Sequence, residues 1–316
     1  MTQKPVDPQL IEQLKKLEEK YEVMGQDLSS YLDGLLYADY LTYWDYIHLD
    51  TLLSLQTPRT NFPDEKIFII YHQITELYFQ LILLEQEQAM FDDPVDSQLF
   101  LKRLTRINRY FEHLVDSFDV MIEGMDQEQF LAFRMSLLPS SGFQSGQYRS
   151  IEINSTDFYL IANYQARQSL NRSSDIHEIY EQLYWKRGAT ELKSGKKTLT
   201  LKQFEMKYDE QFLKQASRVR EVNFRQKYLS NYVGSNKVET ALKQLDYYAN
   251  VSWPLAHFKS AARYLQRDPV EIKATGGTNW QQYLPPRKQM LTFFPELWSE
   301  AELEDWGKKP RFESIE

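Results

Sequence analysis

Apolar residues recur at steps of three and four positions along most of this chain, which is the spacing of an amphipathic α-helix. Glycine and proline, the residues that most often end helices, number only 11 and 12 among 316 residues. The segments between them carry the helical period rather than the strict alternation of a half-buried strand. The sequence therefore predicts an all-α protein.

The clearest helix start lies at Asn61-Phe62-Pro63-Asp64-Glu65, with proline early and acids in the first turn, where the helix dipole favours negative charge. The helix should continue to about Ala89. Its spacing predicts a main core stripe of Ile67, Ile70, Ile74, Leu77, Leu81 and Leu84. A neighbouring stripe on the same helix contains Phe68, His72, Thr75 and Phe79.

The remaining predicted helices cover about residues 97–122, 126–137, 201–228 and 237–266. The last contains Pro254, which lacks a backbone N–H and should kink or restart the helix. Residues 153–200 show a short, mixed pattern, which predicts an irregular or short-helix insertion.

No internal repeat or low-complexity linker divides the chain, although its length alone would permit either one large domain or two. We expect a helical arm at residues 1–40 that takes part in subunit contacts. One helical domain then covers residues 41–300, including the insertion. Residues 301–316 form a polar tail.

Composition removes several classes of protein. The net charge is −8 and the sequence has no long Lys/Arg block, so it gives no sign of a basic surface that would bind nucleic acid. The absence of cysteine excludes disulfides, thiolate-bound metals, a catalytic cysteine and covalent haem attachment through a C-x-x-C-H motif. No apolar leader is seen in the first 20 residues, and no later stretch approaches the roughly 20 apolar residues of a membrane span. We therefore expect a cytoplasmic protein with no membrane partner.

The five histidines are few enough to consider singly, and they lack zinc-site spacing. His72 lies in the long apolar helix, where a buried neutral imidazole that donates to a carbonyl is the commoner role. His257 follows Trp253 and Pro254 and could ligate haem iron, although packing is again commoner. The other three are typical of surface or boundary positions: His48, His113 and His177.

Two further features could bind a small ligand. Arg134 stands beside aromatic residues and could fork onto a carboxylate, although a structural ion pair is the commoner outcome. Thr275-Gly276-Gly277-Thr278 could form a loop that closes over a ligand, or simply a turn that ends a helix. Taken singly, these features predict only a soluble helical protein with an aromatic pocket.

Taken together, the segments resemble the tryptophan 2,3-dioxygenase family in order and spacing over about residues 40–298. The runs that carry this resemblance are Leu41-Thr42-Tyr43 through Tyr46 to Leu49-Asp50, Asp64 to Gln73 with Glu76-Leu77, Phe133-Arg134, Pro139 to Ser145 with Gln147-Tyr148-Arg149, Trp253 with His257, Thr275-Gly276-Gly277, and Thr292 to Leu297. Such an ordered series is specific.

The resemblance implies an all-α haem b fold of the tryptophan/indoleamine dioxygenase type. It implies that His257 is the proximal iron ligand and that the iron must be ferrous for oxygen to bind. His72 would lie on the distal side as the catalytic residue that accepts the hydrogen bond of the indole N–H. The remaining haem contacts that it implies are Ser141, Gly142 and Trp253.

It also implies a substrate site for L-tryptophan. Phe68 and Phe130 would pack on the indole, Arg134 would hold the carboxylate, and Thr275 would meet the ammonium and carboxylate groups. In the family, a segment that matches Tyr43 and Tyr46 reaches into a neighbouring subunit's pocket, which implies a homotetramer.

The implied reaction adds both atoms of O2 to L-tryptophan and yields N-formylkynurenine, the first step of tryptophan catabolism by the kynurenine pathway. Two alternatives stay open: a related haem enzyme that hydroxylates or mono-oxygenates another aromatic amino acid, and a non-catalytic haem or ligand sensor. The chain departs from the family's usual pattern at Tyr78, Gly146, Pro254 and Ala256.

Overall fold

The computed structural model describes residues 6–38, 41–91, 96–137, 142–190, 194–265 and 285–308. The chain divides into two compact units, Met1–Thr57 and Pro58–Glu316. Within the described ranges, β-structure is limited to the isolated bridges Ala162–Leu183 and Thr190–Lys197. The predicted all-α class is confirmed. The subunit contacts predicted for the arm at residues 1–40 stay a prediction.

The N-terminal unit consists of short helices with few buried side chains. They are α1 (Pro8–Val23), α2 (Leu28–Leu36), α3 (Tyr43–Tyr46) and α4 (Leu49–Ser54). Asp7, Asp27 and Thr42 cap the first three by accepting backbone N–H groups from the first turn. None of the four helices contains a buried residue, so the described part of this unit forms no apolar core of its own.

The second unit holds the main core. Its helices are α5 (Pro63–Phe91), α6 (Ser97–Ser117), α7 (Asp119–Ile122), α8 (Gln127–Phe133), α9 (Gly146–Ser155), α10 (Ile176–Glu181), α11 (Tyr184–Gly188), α12 (Leu199–Val219), α13 (Phe224–Asn231), α14 (Asn236–Tyr247), α15 (Trp253–Leu265), α16 (Pro286–Gln289) and α17 (Glu300–Glu304). Helix α5 packs on α6 and α9, while α14 packs on α6 and α12 on α9. Only short α- and 3-10 helices lie between Ser155 and Leu199 among the described residues.

Helix α5 begins at Pro63, as the start signal predicts, but its two acids do more than face the helix dipole. Asp64 accepts the backbone N–H of Asp126 at 2.6 Å and so joins the start of α5 to the start of α8. Glu65 accepts the N–H groups of Arg59 and Thr60, each at 2.7 Å. Both carboxyl groups are buried, and they fix the loop and helix that flank α5.

The predicted core stripe of α5 is wrong for five of its six residues. Between 39% and 53% of each of these side chains is exposed: Ile70, Ile74, Leu77, Leu81 and Leu84. The buried face instead carries Tyr71, Thr75, Phe79 and Ile82. Because both faces of α5 are apolar, the helical period alone does not say which face turns inward.

Helix α5 is also long and apolar enough to cross a membrane, by length and composition alone. The expectation that no stretch approaches that length is therefore wrong, although the core helix of a soluble protein passes the same test. One face of α5 belongs to the helical domain, because Glu85 is buried there and forms an ion pair of 2.8 Å with Arg106 of α6.

Two predicted helices are interrupted. The helix predicted over 97–122 breaks at Phe118, between α6 and α7. The helix predicted over 201–228 breaks before Asn223, whose buried side chain caps α13 by accepting the N–H of Gln226 at 3.0 Å. The Pro254 prediction is confirmed, since a π-helix, Tyr248–Ser252, precedes a restart at Trp253.

The departure at Gly146 has a packing explanation. A Cβ atom at this position would lie 2.5 Å from Cε1 of Tyr208, so no larger side chain fits without movement of that ring. Tyr208 in turn stacks on Phe212 of α12, with ring centroids 5.4 Å apart. The tyrosine ring therefore fills, from α12, the space that a residue 146 side chain would otherwise take.

Candidate active site

Three helices bring the predicted site residues together. Helix α5 carries Phe68 and His72, helix α8 carries Phe130, and Arg134 follows at the end of α8. Helix α15 carries His257 and contacts α6, α7 and α8, while α5 also contacts α8. The side chains of Phe68 and Phe130 belong to one apolar cluster with Tyr71 and Phe118.

Aromatic rings form one wall of this site. Phe68 lies 6.1 Å from Phe130 and 5.8 Å from Phe133 between ring centroids, and the latter two rings are 5.5 Å apart. Phe130 also contacts Tyr264 of α15 at 4.6 Å. Such edge-on and tilted contacts hold aromatic rings in fixed orientations. The wall is suited to a flat apolar group.

The tautomer of His72 follows from its hydrogen bond. Nδ1 lies 2.7 Å from the carbonyl oxygen of Phe68, and a carbonyl only accepts, so Nδ1 carries the proton. Burial lowers the pKa of His72, although the Phe68 carbonyl and the charge of Glu76 oppose the shift. The residue is nevertheless exposed, so one side of the site is open to solvent. A neutral ring with this tautomer presents Nε2 as a hydrogen-bond acceptor.

The imidazole of His257 is also neutral at neutral pH. Burial, together with the charges of His72 and Arg149, lowers the pKa of His257 to about 4. The two imidazoles lie against the same apolar cluster, because Phe68 contacts His72 and Phe118 contacts His257. Phe118 stacks on the His257 ring at 5.9 Å and 21°, and Trp253 contacts Phe118 at 4.6 Å. A neutral, oriented imidazole is the form that ligates a metal.

Arg134 supplies positive charge beside the aromatic wall. It is 8% exposed, at the point where α8 gives way to a 3-10 turn, Arg134–Leu137. Burial lowers its pKa, but a guanidinium remains charged in proteins. A desolvated arginine with its planar fork favours a carboxylate partner.

The residues present fit a haem better than a bare metal ion. Within the described ranges, no three or more His, Asp or Glu side chains gather into a metal-binding group. A metal held here by His257 must therefore bring other ligands with it, as haem iron does. Gly142 begins a 3-10 turn, Gly142–Gln144, whereas Ser141 and Thr275 lie outside the described residues.

Tyr43 and Tyr46 belong to α3 in the N-terminal unit. Their side chains are 70% and 74% exposed, respectively. Their predicted contact with a neighbouring subunit's substrate stays a prediction.

Sequence reasoning missed the aromatic residues that support the site. Phe118 lay inside a helix predicted to be continuous, so nothing marked it as a ring that turns toward His257. Neither Phe133 nor Tyr264 was predicted to line the site. A signal for Phe133 existed, because it directly precedes Arg134 in the motif.

Comparisons with known proteins agree with this arrangement. A family model described as tryptophan 2,3-dioxygenase matches residues 35–207. The tryptophan 2,3-dioxygenase of Ruegeria pomeroyi is 30% identical over 275 residues, which cover 83% of this chain and 92% of the relative. That of Bacillus thuringiensis subsp. konkukian is 28% identical over 278 residues, with the same coverage. That of a Bradyrhizobium strain is 43% identical over 113 residues, or 35% of this chain and 40% of the relative. This chain belongs to the tryptophan 2,3-dioxygenase family.

Proposed function

We propose that this protein is a haem-dependent tryptophan 2,3-dioxygenase, which converts L-tryptophan and O2 to N-formylkynurenine in the first step of the kynurenine pathway. The observation that carries the proposal is a pair of imidazoles that lie against one aromatic cluster, since Phe68 contacts His72 at 4.1 Å and Phe118 stacks on His257 at 5.9 Å between ring centroids. Its supporting context is membership of the family.

The chemistry of the site suits a zwitterionic aromatic amino acid. Arg134 would hold the carboxylate through its guanidinium, and Phe68 with Phe130 would pack on the indole ring. Thr275 is proposed to meet the ammonium and carboxylate groups. These contacts fix the indole relative to the reacting centre, and such orientation is a large part of catalysis between two bound reactants.

His72 acts as an acceptor in this proposal. Its Nδ1 proton is engaged by the Phe68 carbonyl, so the lone pair of Nε2 is available for the indole N–H. An indole N–H carries no readily lost proton, and a weakly basic, neutral imidazole therefore suffices to position it. The lowered pKa of His72 keeps the ring in this acceptor form at neutral pH.

His257 would hold the iron of haem b, and Trp253, Ser141 and Gly142 would lie along the cofactor. When bound in the ferrous state, the haem supplies the binding and activation of O2. The protein's own part is to present one imidazole to the iron and to surround the reacting groups with apolar rings. Phe118 holds the imidazole plane through its stacking contact.

Turnover of the reconstituted protein tests the proposal. Ferrous haem protein, mixed with oxygen and L-tryptophan but no hydrogen peroxide, is expected to form N-formylkynurenine, measured by chromatography and mass spectrometry. L-tyrosine in parallel tests the alternative of another aromatic substrate. Failure to take up haem contradicts the proposal, and haem uptake without product favours a sensor.

We also propose that the protein is a cytoplasmic homotetramer without a membrane or nucleic-acid partner. Support for the oligomer comes from α5, whose exposed aliphatic stripe forms an apolar face on a helix that is otherwise part of the domain core. A second copy of the chain is a suitable cover, because exposed apolar faces of this kind are commonly buried in homo-oligomers.

The oligomeric state gives a direct test. Leu77→Lys places a charge in the middle of the stripe, so it is expected to shift the native mass from tetramer toward smaller species. Gln80→Lys, an exposed position on the same helix, serves as the matched control and should leave the mass unchanged. Native mass spectrometry or light scattering makes the measurement. A monomeric wild-type protein contradicts the proposal.

A further inference from the structure

The segment that leads into α15 contains a backbone hydrogen-bond problem. In the π-helix Tyr248–Ser252, the N–H of Trp253 donates to the carbonyl of Tyr248, five residues earlier. In the same register, the carbonyl of Ala249 should receive the N–H of residue 254. That residue is Pro254, which has no N–H to give.

Tyr148 supplies the missing donor from a different helix. Its hydroxyl, on α9, donates to the carbonyl oxygen of Ala249 at 2.7 Å. Ala249 is fully buried and Tyr148 is 8% exposed, so the contact lies inside the protein. A buried carbonyl needs a partner, and here a side chain from α9 takes the place of the backbone.

A chain of rings also joins Tyr148 to His257. Tyr148 contacts Phe79 at 5.4 Å, and Phe79 contacts Trp253 edge-on at 5.7 Å. Trp253 contacts Phe118 at 4.6 Å, and Phe118 stacks on His257 at 5.9 Å. The hydroxyl therefore fixes the backbone before α15, and the ring of the same residue begins the packing that orients the imidazole.

The register of α15 makes this contact consequential. Each residue of an α-helix advances the chain by about 100° around the axis. A π-turn holds one more residue than an α-turn, so it rotates every later side chain relative to the face set by α14. His257 points as it does because the extra residue is kept in the turn.

We propose that Tyr148 is a positioning residue for His257, whose hydroxyl stabilises the π-turn that Pro254 requires and thereby sets the orientation of the imidazole. The inference rests on the proposed function, since the imidazole is taken there as the haem ligand. Tyr148 touches neither substrate nor iron in this account; it acts through the backbone of α15.

The test removes the hydroxyl alone. In Tyr148→Phe, the ring contacts remain and the Ala249 carbonyl loses its donor. We expect a shifted iron–histidine stretching frequency in the resonance Raman spectrum of the ferrous protein. Haem transfer to an acceptor globin should be about 10-fold faster, the lower end of what loss of an outer-shell partner costs in affinity. Wild-type frequency and transfer rate in this variant overturn the proposal.

Tyr228→Phe is the matched control. Tyr228 is also buried and donates its hydroxyl to Glu239 at 2.9 Å, but it lies on α13 and outside the ring chain. Both variants lose one internal hydrogen bond, so a general loss of stability affects both. Only Tyr148→Phe should change the iron–histidine frequency, and an equal change in the control overturns the proposal.

Adding Pro254→Ala to Tyr148→Phe returns an N–H at position 254, which can reach the Ala249 carbonyl. The double variant is expected to regain the wild-type iron–histidine frequency. A double variant whose frequency is shifted as far as that of Tyr148→Phe overturns the role of the hydroxyl.

Amide hydrogen exchange in the haem-free proteins separates this inference from the proposed function. A wild-type protein without haem affinity contradicts the function, whereas unchanged exchange over residues 250–258 in Tyr148→Phe contradicts the positioning role.

Discussion

His257→Ala is expected to yield a folded protein that binds haem more than about 100-fold more weakly, because even the loss of an outer-shell partner costs a metal site about 10- to 100-fold. The physical reason is that the imidazole is kept neutral by burial, with a pKa of about 4, and is oriented by Phe118. His72 offers no replacement, since its ring is oriented by the Phe68 carbonyl.

Haem content by the pyridine haemochromogen method and the visible absorption spectrum measure this effect. His177→Ala is the control, because this histidine is exposed on α10 and should leave haem binding unchanged. Circular dichroism shows whether the variant is still helical. Full haem occupancy with a wild-type spectrum in folded His257→Ala contradicts the ligand assignment.

Arg134→Leu is expected to raise the KM for L-tryptophan by about 30-fold to several thousand-fold. Removal of one partner from a buried, hydrogen-bonded charge pair costs about 2–5 kcal/mol, and each 1.4 kcal/mol is a factor of about ten in affinity. Arg134 as a whole residue is 8% exposed, so little solvent screens its attraction for the carboxylate.

Tryptamine separates the carboxylate contact from a general disturbance of the site. It lacks the carboxylate, so its binding should be weak in the wild type and little changed in Arg134→Leu. Arg109→Leu, an exposed position on α6, is the control for loss of an arginine. An unchanged KM for L-tryptophan, or an equal loss for tryptamine, argues against the carboxylate clamp.

Local patterns predicted the helices well but not which face of α5 turns inward. The start at Pro63 follows from proline, acids and the apolar run that comes next, all of which act within one turn. Which face of α5 turns inward depends on what covers its opposite face. Leu77 and Phe79 are equally apolar, yet Leu77 is 53% exposed and Phe79 is 2% exposed.

In the candidate site, too, some features follow from local sequence and others depend on residues far away in the chain. The spacing of Phe68 and His72 places both on one face of α5, and their rings lie 4.1 Å apart. The structure contains one part of the commoner local role of His72, because its Nδ1 donates to a carbonyl, although the residue is exposed. The local pattern does not predict what surrounds Nε2 of His72, because those surroundings depend on α8 and α15.

The support for His257 was the least predictable part. Pro254 predicted a break in its helix, but it did not predict that the break takes the form of a π-turn. Neither could the sequence say that Tyr148, from α9, donates to the carbonyl that proline leaves without a partner. Such contacts join residues about a hundred positions apart, and only the packing of α9 against its neighbours brings them together.

Isotope labelling tests the central claim most directly. Turnover of the haem-loaded protein with L-tryptophan under ¹⁸O₂ in unlabelled water is expected to place two ¹⁸O atoms in N-formylkynurenine, as mass spectrometry of the freshly formed product would show. A product that carries a single ¹⁸O atom, with the second reduced to water, would contradict the dioxygenase account and favour a mono-oxygenase on the same fold.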